Sequence, residues 1–175
     1  MAPEEPGKSL QAKPLLEAFE RHGVDFVVIG GIAGLAQGSS YPTYDLDVAY
    51  ARDPVNLRRL AGALAEISVT LRGAPPDLPF QLDVQTLANG ANFTFDTKFG
   101  SFDVLADIAG IRNYEELREA SQMRRIAGVE VRVASLDHLI SMKRAANRVK
   151  DQLMVVEYVE LAEELRRREG EDPEA

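Results

Sequence analysis

Apolar positions along the chain follow two rhythms, and the changes between them mark the elements. Leu15, Leu16 and Phe19 recur at helical spacing, with Pro14 in the first turn and Gly23 as a stop, predicting a helix over 13–23. The continuous apolar run "VDFVVI" predicts a buried strand over 24–29. Gly30 and Gly31 break it, and a short helix is expected from Ile32 to near Gly38. "YDLDVAY" alternates acidic and apolar residues with period two, predicting a strand over 44–50. A helix capped by Asp53, with Pro54 at its first position and Leu57, Leu60 and Leu64 inward, follows over 52–67.

"GAPPDLP" reads as a loop over 73–79, and "FQLDVQTLANG" is ambiguous, with a short helix expected from Asp83 to Ala88. A hairpin is expected from strands 92–97 and 101–108, with Gly100 in the connection. Asn113 and Glu116 stand at capping-box spacing before a helix over 113–121. A second hairpin turns at Gly128, and two helices close the sequence, one over 135–148 capped by Ser135 and one over 151–168. This order argues an α+β fold: one mixed sheet flanked by helices, with C-terminal helices. The expected division is a core over 1–134, packed helices over 135–168 and a frayed acidic tail over 169–175, after a disordered start.

Composition narrows the chemistry. At 175 residues, 45% hydrophobic and 27% charged, the chain suits one globular domain. It has no cysteine and two histidines, which rules out disulfides and thiolate metal sites and makes a histidine-rich zinc site improbable. No apolar run approaches the roughly 18 residues of a membrane span, so no membrane partner is expected, and the cytoplasm is the expected compartment. The net charge of −8 is opposite to that of proteins that coat nucleic acid, so any such contact must be local. The cations gather in "MKRAANRVKD", where helical spacing sets Lys143, Asn147 and Lys150 on one side and Arg144, Arg148 and Asp151 on a neighbouring one. Such a face can wall a triphosphate or RNA.

The stretch "VIGGIAGLAQGSSYPTYDLDVAY" carries the most chemistry. Residues i and i+2 of a strand share a face, about 7 Å apart, so Asp45 and Asp47 project together while Leu46 and Val48 turn to the core. Paired carboxylates repel, and a divalent cation is the usual resolution. Asp103, flanked by apolar residues in "SFDVL", offers a third oxygen ligand, a set suited to Mg2+ that takes its other ligands from water and phosphates. Gly30 and Gly31, lacking a β carbon, let backbone approach a phosphate at a helix start. The P-loop lysine and the G-x-G-x-x-G spacing are both absent. Asp96 and Asp107 read as solvent-facing or turn residues, Asp53 and Asp83 as helix starts, and Tyr41 and Tyr44 as packing residues.

Gly30 to Val48 resembles the DNA polymerase β-type nucleotidyltransferase pattern of Gly-Gly, a small residue, about a dozen residues, then Asp-h-Asp-h. Asp103 matches that pattern's third aspartate. The similarity extends through "TLANGANFTFDTKFGSFDVL" and "LDHLISMKRAANRVKD", which look like the small nucleotidyltransferases of abortive-infection and bacterial toxin–antitoxin systems. The resemblance implies an enzyme that moves a nucleoside monophosphate from an NTP to an acceptor hydroxyl with Mg2+. Asp45, Asp47 and Asp103 would bind metal, Gly30 and Gly31 the nucleotide phosphates, and Lys143 the nucleotide, beside Arg148 and Lys150. It implies a tRNA or other RNA end, or a protein, as acceptor, and a cognate antitoxin as partner; an antibiotic acceptor stays open. Ile32 departs from the pattern, since the family often has Ser or Gly there, and Ser39, Ser40 or Thr43 would have to supply the hydroxyl. The rival reading is a non-catalytic binding protein or antitoxin of the same fold.

Overall fold

The computed structural model describes residues 9–75, 77–78 and 82–171. Most of the expected disordered start, parts of the loop over 73–79, and the last four residues of the expected tail lie outside them. Helix α1 (Ala12–Arg21) is followed by β1 (Phe26–Ile29), α2 (Gly30–Ala36), β2 (Leu46–Tyr50) and α3 (Pro54–Glu66). Then come β3 (Thr70–Leu71), α4 (Val84–Asn89), β4 (Asn92–Thr97) and β5 (Gly100–Leu105). The chain continues with α5 (Tyr114–Glu119), β6 (Gln122–Ile126), β7 (Val129–Val133), α6 (Leu136–Ala146) and α7 (Val149–Glu171).

The expected caps all form: Asp53, Asp83, Asn113 and Ser135 accept the backbone N–H of Asn56, Thr86, Glu116 and His138. Each satisfies an N–H that the first helical turn leaves without an internal partner. Among the described residues the strands make one seven-stranded mixed sheet ordered β3-β4-β5-β2-β1-β7-β6. The β2–β5 and β1–β7 pairs are parallel and the others antiparallel. All four residues of β1 are buried, as its unbroken apolar run requires of a central strand.

The two-fold alternation of β5 sends Phe102 and Val104 into the core and leaves Ser101 and Asp103 partly open. Phe95 of β4 and Leu46 and Val48 of β2 join the same core face, with Phe19 of α1 set edge-on to Phe102. The opposite face of β4, β5 and β2 therefore carries the polar side chains.

Five expectations change. Strand β3 has no counterpart in the pattern, because two residues are too few to show a period. The glycine pair is the start of α2 rather than a linker before it. Asn147 takes a left-handed conformation (φ 51) that ends α6, so the two closing helices form as expected but the side shared by Lys143, Asn147 and Lys150 does not continue across the break. Tyr44 is 79% exposed rather than packed, whereas Tyr41 does lean on the core. Helix α7 also runs to Glu171, into the span expected to be a frayed tail.

Candidate active site

Strand register assembles the acidic residues. Asp47 and Asp103 are partners in the parallel β2–β5 pair, and Thr94 of β4 faces Asp103 on the far side. Asp45 stands just before β2 and is exposed. Burial, followed by the charges of Asp103 and Asp45, pushes Asp47 up to about 6, while Lys143 and Arg72 pull the other way. Asp103 is also raised, first by burial, with Arg72 opposing and a hydrogen bond with Asp47 lowering it again. The two strand aspartates thus share one desolvated spot, with Asp45 in electrostatic range of both.

The glycines form the wall beside them. Ile29 pairs with Asp47 across β1 and β2, and the next residue, Gly30, takes φ 68, a conformation that glycine adopts without strain. A β carbon there would lie 2.2 Å from Oδ2 of Asp47. One on Gly31 would lie 2.7 Å from both Cβ and Oγ1 of Thr43. Bare backbone at both positions lets Asp47 and Thr43 lie directly on the first turn of α2, whose N-cap, Ile29, offers it no side-chain bond.

All three expected hydroxyls make hydrogen bonds, two of them to α7. Ser39 and Ser40 donate to the Glu157 carboxylate of α7 at 2.9 Å each, and the Ser40 N–H adds a 2.7 Å bond. This ties the α2–β2 loop to α7. Thr43 stays over Gly31, its Oγ1 donating to the Asp45 carbonyl at 3.3 Å.

The basic residues divide. Lys143, with a side chain only 16% exposed, acts on Asp47 and donates to Asp151 Oδ1 at 3.1 Å. Arg148 Nε donates to the other oxygen of Asp151 at 2.6 Å, from a side chain that is 73% exposed. Burial alone would raise the fully buried Asp151, but the hydrogen bonds from Arg148 and Lys143 hold it at about 2. Lys150 is exposed on the first turn of α7.

Two residues at this site escape sequence reasoning. Helical spacing sets Asp151 on a different side from Lys143, and only the break at Asn147 brings the two together. Arg72, just past β3, donates to Asp103 at 3.2 Å and lies 3.4 Å from Asp96. No signal in the sequence marks it, since its partners lie 24 and 31 residues downstream.

The architecture has solved counterparts. The lincosamide antibiotic adenylyltransferase LnuA, solved with lincomycin bound, is similar at a TM-score of 0.58 and 12% identity, over 87% of this chain and 99% of that one. The antibiotic-resistance factor ANT(2'')-Ia is similar at 0.53 and 16%, over 91% of each chain. A Thermotoga maritima protein described as a candidate nucleotidyltransferase is similar at 0.50 and 15%, over 92% and 91%. The fold is that of the nucleotidyltransferases. No protein-family model matches the sequence, and no curated protein does. The sheet here places Asp47 and Asp103 side by side at its polar face, with the α2 glycines against them.

Proposed function

We propose that this chain is an NTP-dependent nucleotidyltransferase whose reaction centre is Asp47 and Asp103 with Asp45 beside them. The carrying observation is the registered carboxylate pair lying against bare glycine backbone. Such a pair repels itself, and hard oxygen donors of this kind fit a divalent cation such as Mg2+. Among the described residues no group of three or more acidic or imidazole side chains is already arranged to hold a metal. Asp47 and Asp103 would therefore contribute part of the coordination, with Asp45 near and nucleotide phosphates and water completing it. Bound there, the cation would neutralise charge on the transferring phosphate.

The chain's own groups supply the rest. The first-turn N–H groups of α2 and the Thr43 hydroxyl would receive phosphate oxygens, and Lys143, fixed by Asp151, would offset charge on the departing pyrophosphate. In an in-line displacement the acceptor enters opposite that leaving group, on the side of β5 and β4. The acceptor oxygen bonds to the α-phosphorus as the bond to the β-phosphate oxygen breaks. Asp103, raised by burial, would take the hydroxyl proton.

The sequence resemblance favours a tRNA or other RNA end, or a protein, as acceptor, in a toxin held by a cognate antitoxin in the cytoplasm. Arg148 and Lys150, exposed at the α6–α7 junction, would meet a polyanionic acceptor. The structural likeness to LnuA favours a small hydroxylated acceptor as the second choice. A binding protein without catalysis has Ile32 in its favour and the clustered carboxylates against it. Incubation with each α-labelled NTP, Mg2+ and total RNA or cell lysate tests the reading. Label should pass to one acceptor class from the parent and not from Asp47→Asn. No transfer to any acceptor by the parent would support the binding protein.

A further inference from the structure

Arg72 is the one cation that touches Asp103 among the described residues, and its place is fixed from three sides. Its backbone N–H donates to Thr94 O at 3.0 Å, which holds it to the edge of β4. Its Nε faces Asp96 Oδ1 at 3.4 Å, and that same oxygen accepts a 2.6 Å bond from Ser101. Its Nη2 donates to Asp103 Oδ1 at 3.2 Å and approaches the Phe95 carbonyl at 3.5 Å. A string of side chains therefore runs across the polar face from Ser101 through Asp96 and Arg72 to Asp103 and Asp47. The guanidinium already compensates the carboxylate by engaging its Oδ1. A fixed positive group beside a two-carboxylate site also opposes entry of a bare divalent ion.

We propose that Arg72 is the resident counter-ion of Asp103, holding Oδ1 so that the Asp47–Asp103 pair takes a divalent cation firmly only together with the phosphates of a nucleotide. This rests on the functional reading above. Arg72 acts through Asp103 and is a positioning residue.

Mn2+ binding to the nucleotide-free protein, followed by the resonance of free Mn2+, tests it without any turnover. Arg72→Gln should bind Mn2+ about tenfold more tightly than the parent, the change expected on removing one nearby positive charge. Arg72→Lys, which keeps the charge, should stay close to the parent. Equal or weaker binding by a folded Arg72→Gln protein overturns the proposal, because a purely structural arginine would give that result. A second measurement needs no variant. In the parent, the Arg72 Nε resonance should be unmoved by Mg2+ alone and should shift with Mg2+ plus a non-hydrolysable NTP. An equal shift with Mg2+ alone overturns it. A chain that binds no nucleotide would still show the Mn2+ difference, so failure of the functional reading and failure of this one give separate results.

Discussion

The backbone of Gly30 and the carboxylate of Asp47 lie so close that a β carbon on the glycine would fall 2.2 Å from Oδ2. The turn after β1 and the acid in β2 are two walls of one site. Gly30→Ala should therefore do two things at once. It would place an alanine at φ 68, costing about 1–3 kcal/mol of stability, and would push Asp47 away from its position. Thermal melting should show the loss, and transfer should fall by about two orders of magnitude. Parent-like transfer by Gly30→Ala would mean that Asp47 needs no such approach.

Asp47 gives the protein a pH signature. Its folded value of about 6 lies above the roughly 3.9 of an unfolded aspartate. Between those values the folded state binds more protons, so this group's contribution to stability falls as pH rises through about 4 to 6. Metal-free Asp47→Asn should accordingly melt above the parent at pH 7.5, and the difference should vanish near pH 4. Melting below the parent at pH 7.5 would contradict the cost of the ionised Asp47, set by burial and then by the charges of Asp103 and Asp45. Binding of Mg2+ with NTP should also weaken below about pH 6, where protons compete for Asp47.

Single-site kinetics should separate the hairpin aspartates. Asp103→Asn should lose at least about 100-fold in rate, on the scale of a lost acid–base or metal group. Asp107→Asn should lose little, since Asp107 is exposed and its recorded hydrogen bonds are made by its backbone. Asp96→Asn should fall between, because Asp96 anchors Arg72. A rate loss at Asp107 matching that at Asp103 would place the reaction centre past the end of β5.

Lys143 should count twice. Lys143→Ala leaves the buried Asp151 with Arg148 as its cation and should cost about 1–3 kcal/mol in denaturant unfolding. It should also weaken NTP binding strongly. Arg148→Ala removes the shorter bond to the same buried carboxylate and should also lower stability, and both it and Lys150→Ala should reduce the salt dependence of binding to a polyanionic acceptor. Parent-like NTP affinity and salt dependence in all three variants would make this junction a solvated surface.

What the sequence disclosed follows the range of each interaction. The helix caps are local, with donor and acceptor three residues apart, and Asp53, Asn113 and Ser135 were readable at once. The period-two pattern around Asp47 and Asp103 was equally local and gave their strands. That these two strands are neighbours is a long-range fact that entered through the family resemblance, and the structure supplies their parallel direction and register. Asp45 was expected inside β2 and stands before it. Arg72 was invisible because a two-residue strand has no period and its carboxylate partners are remote in sequence. The pairing of Asp151 with Lys143 was hidden because it depends on a chain reversal at Asn147, and a helical wheel carries the helix straight through that residue.

Thermal melting with millimolar Mg2+, a non-hydrolysable NTP, or both probes the Asp47–Asp103 site most directly. The parent should rise in Tm only when both are present, and the Asp47→Asn/Asp103→Asn double variant should not respond. No shift in the parent, or the same shift in the double variant, would contradict a nucleotide and metal site at this carboxylate pair.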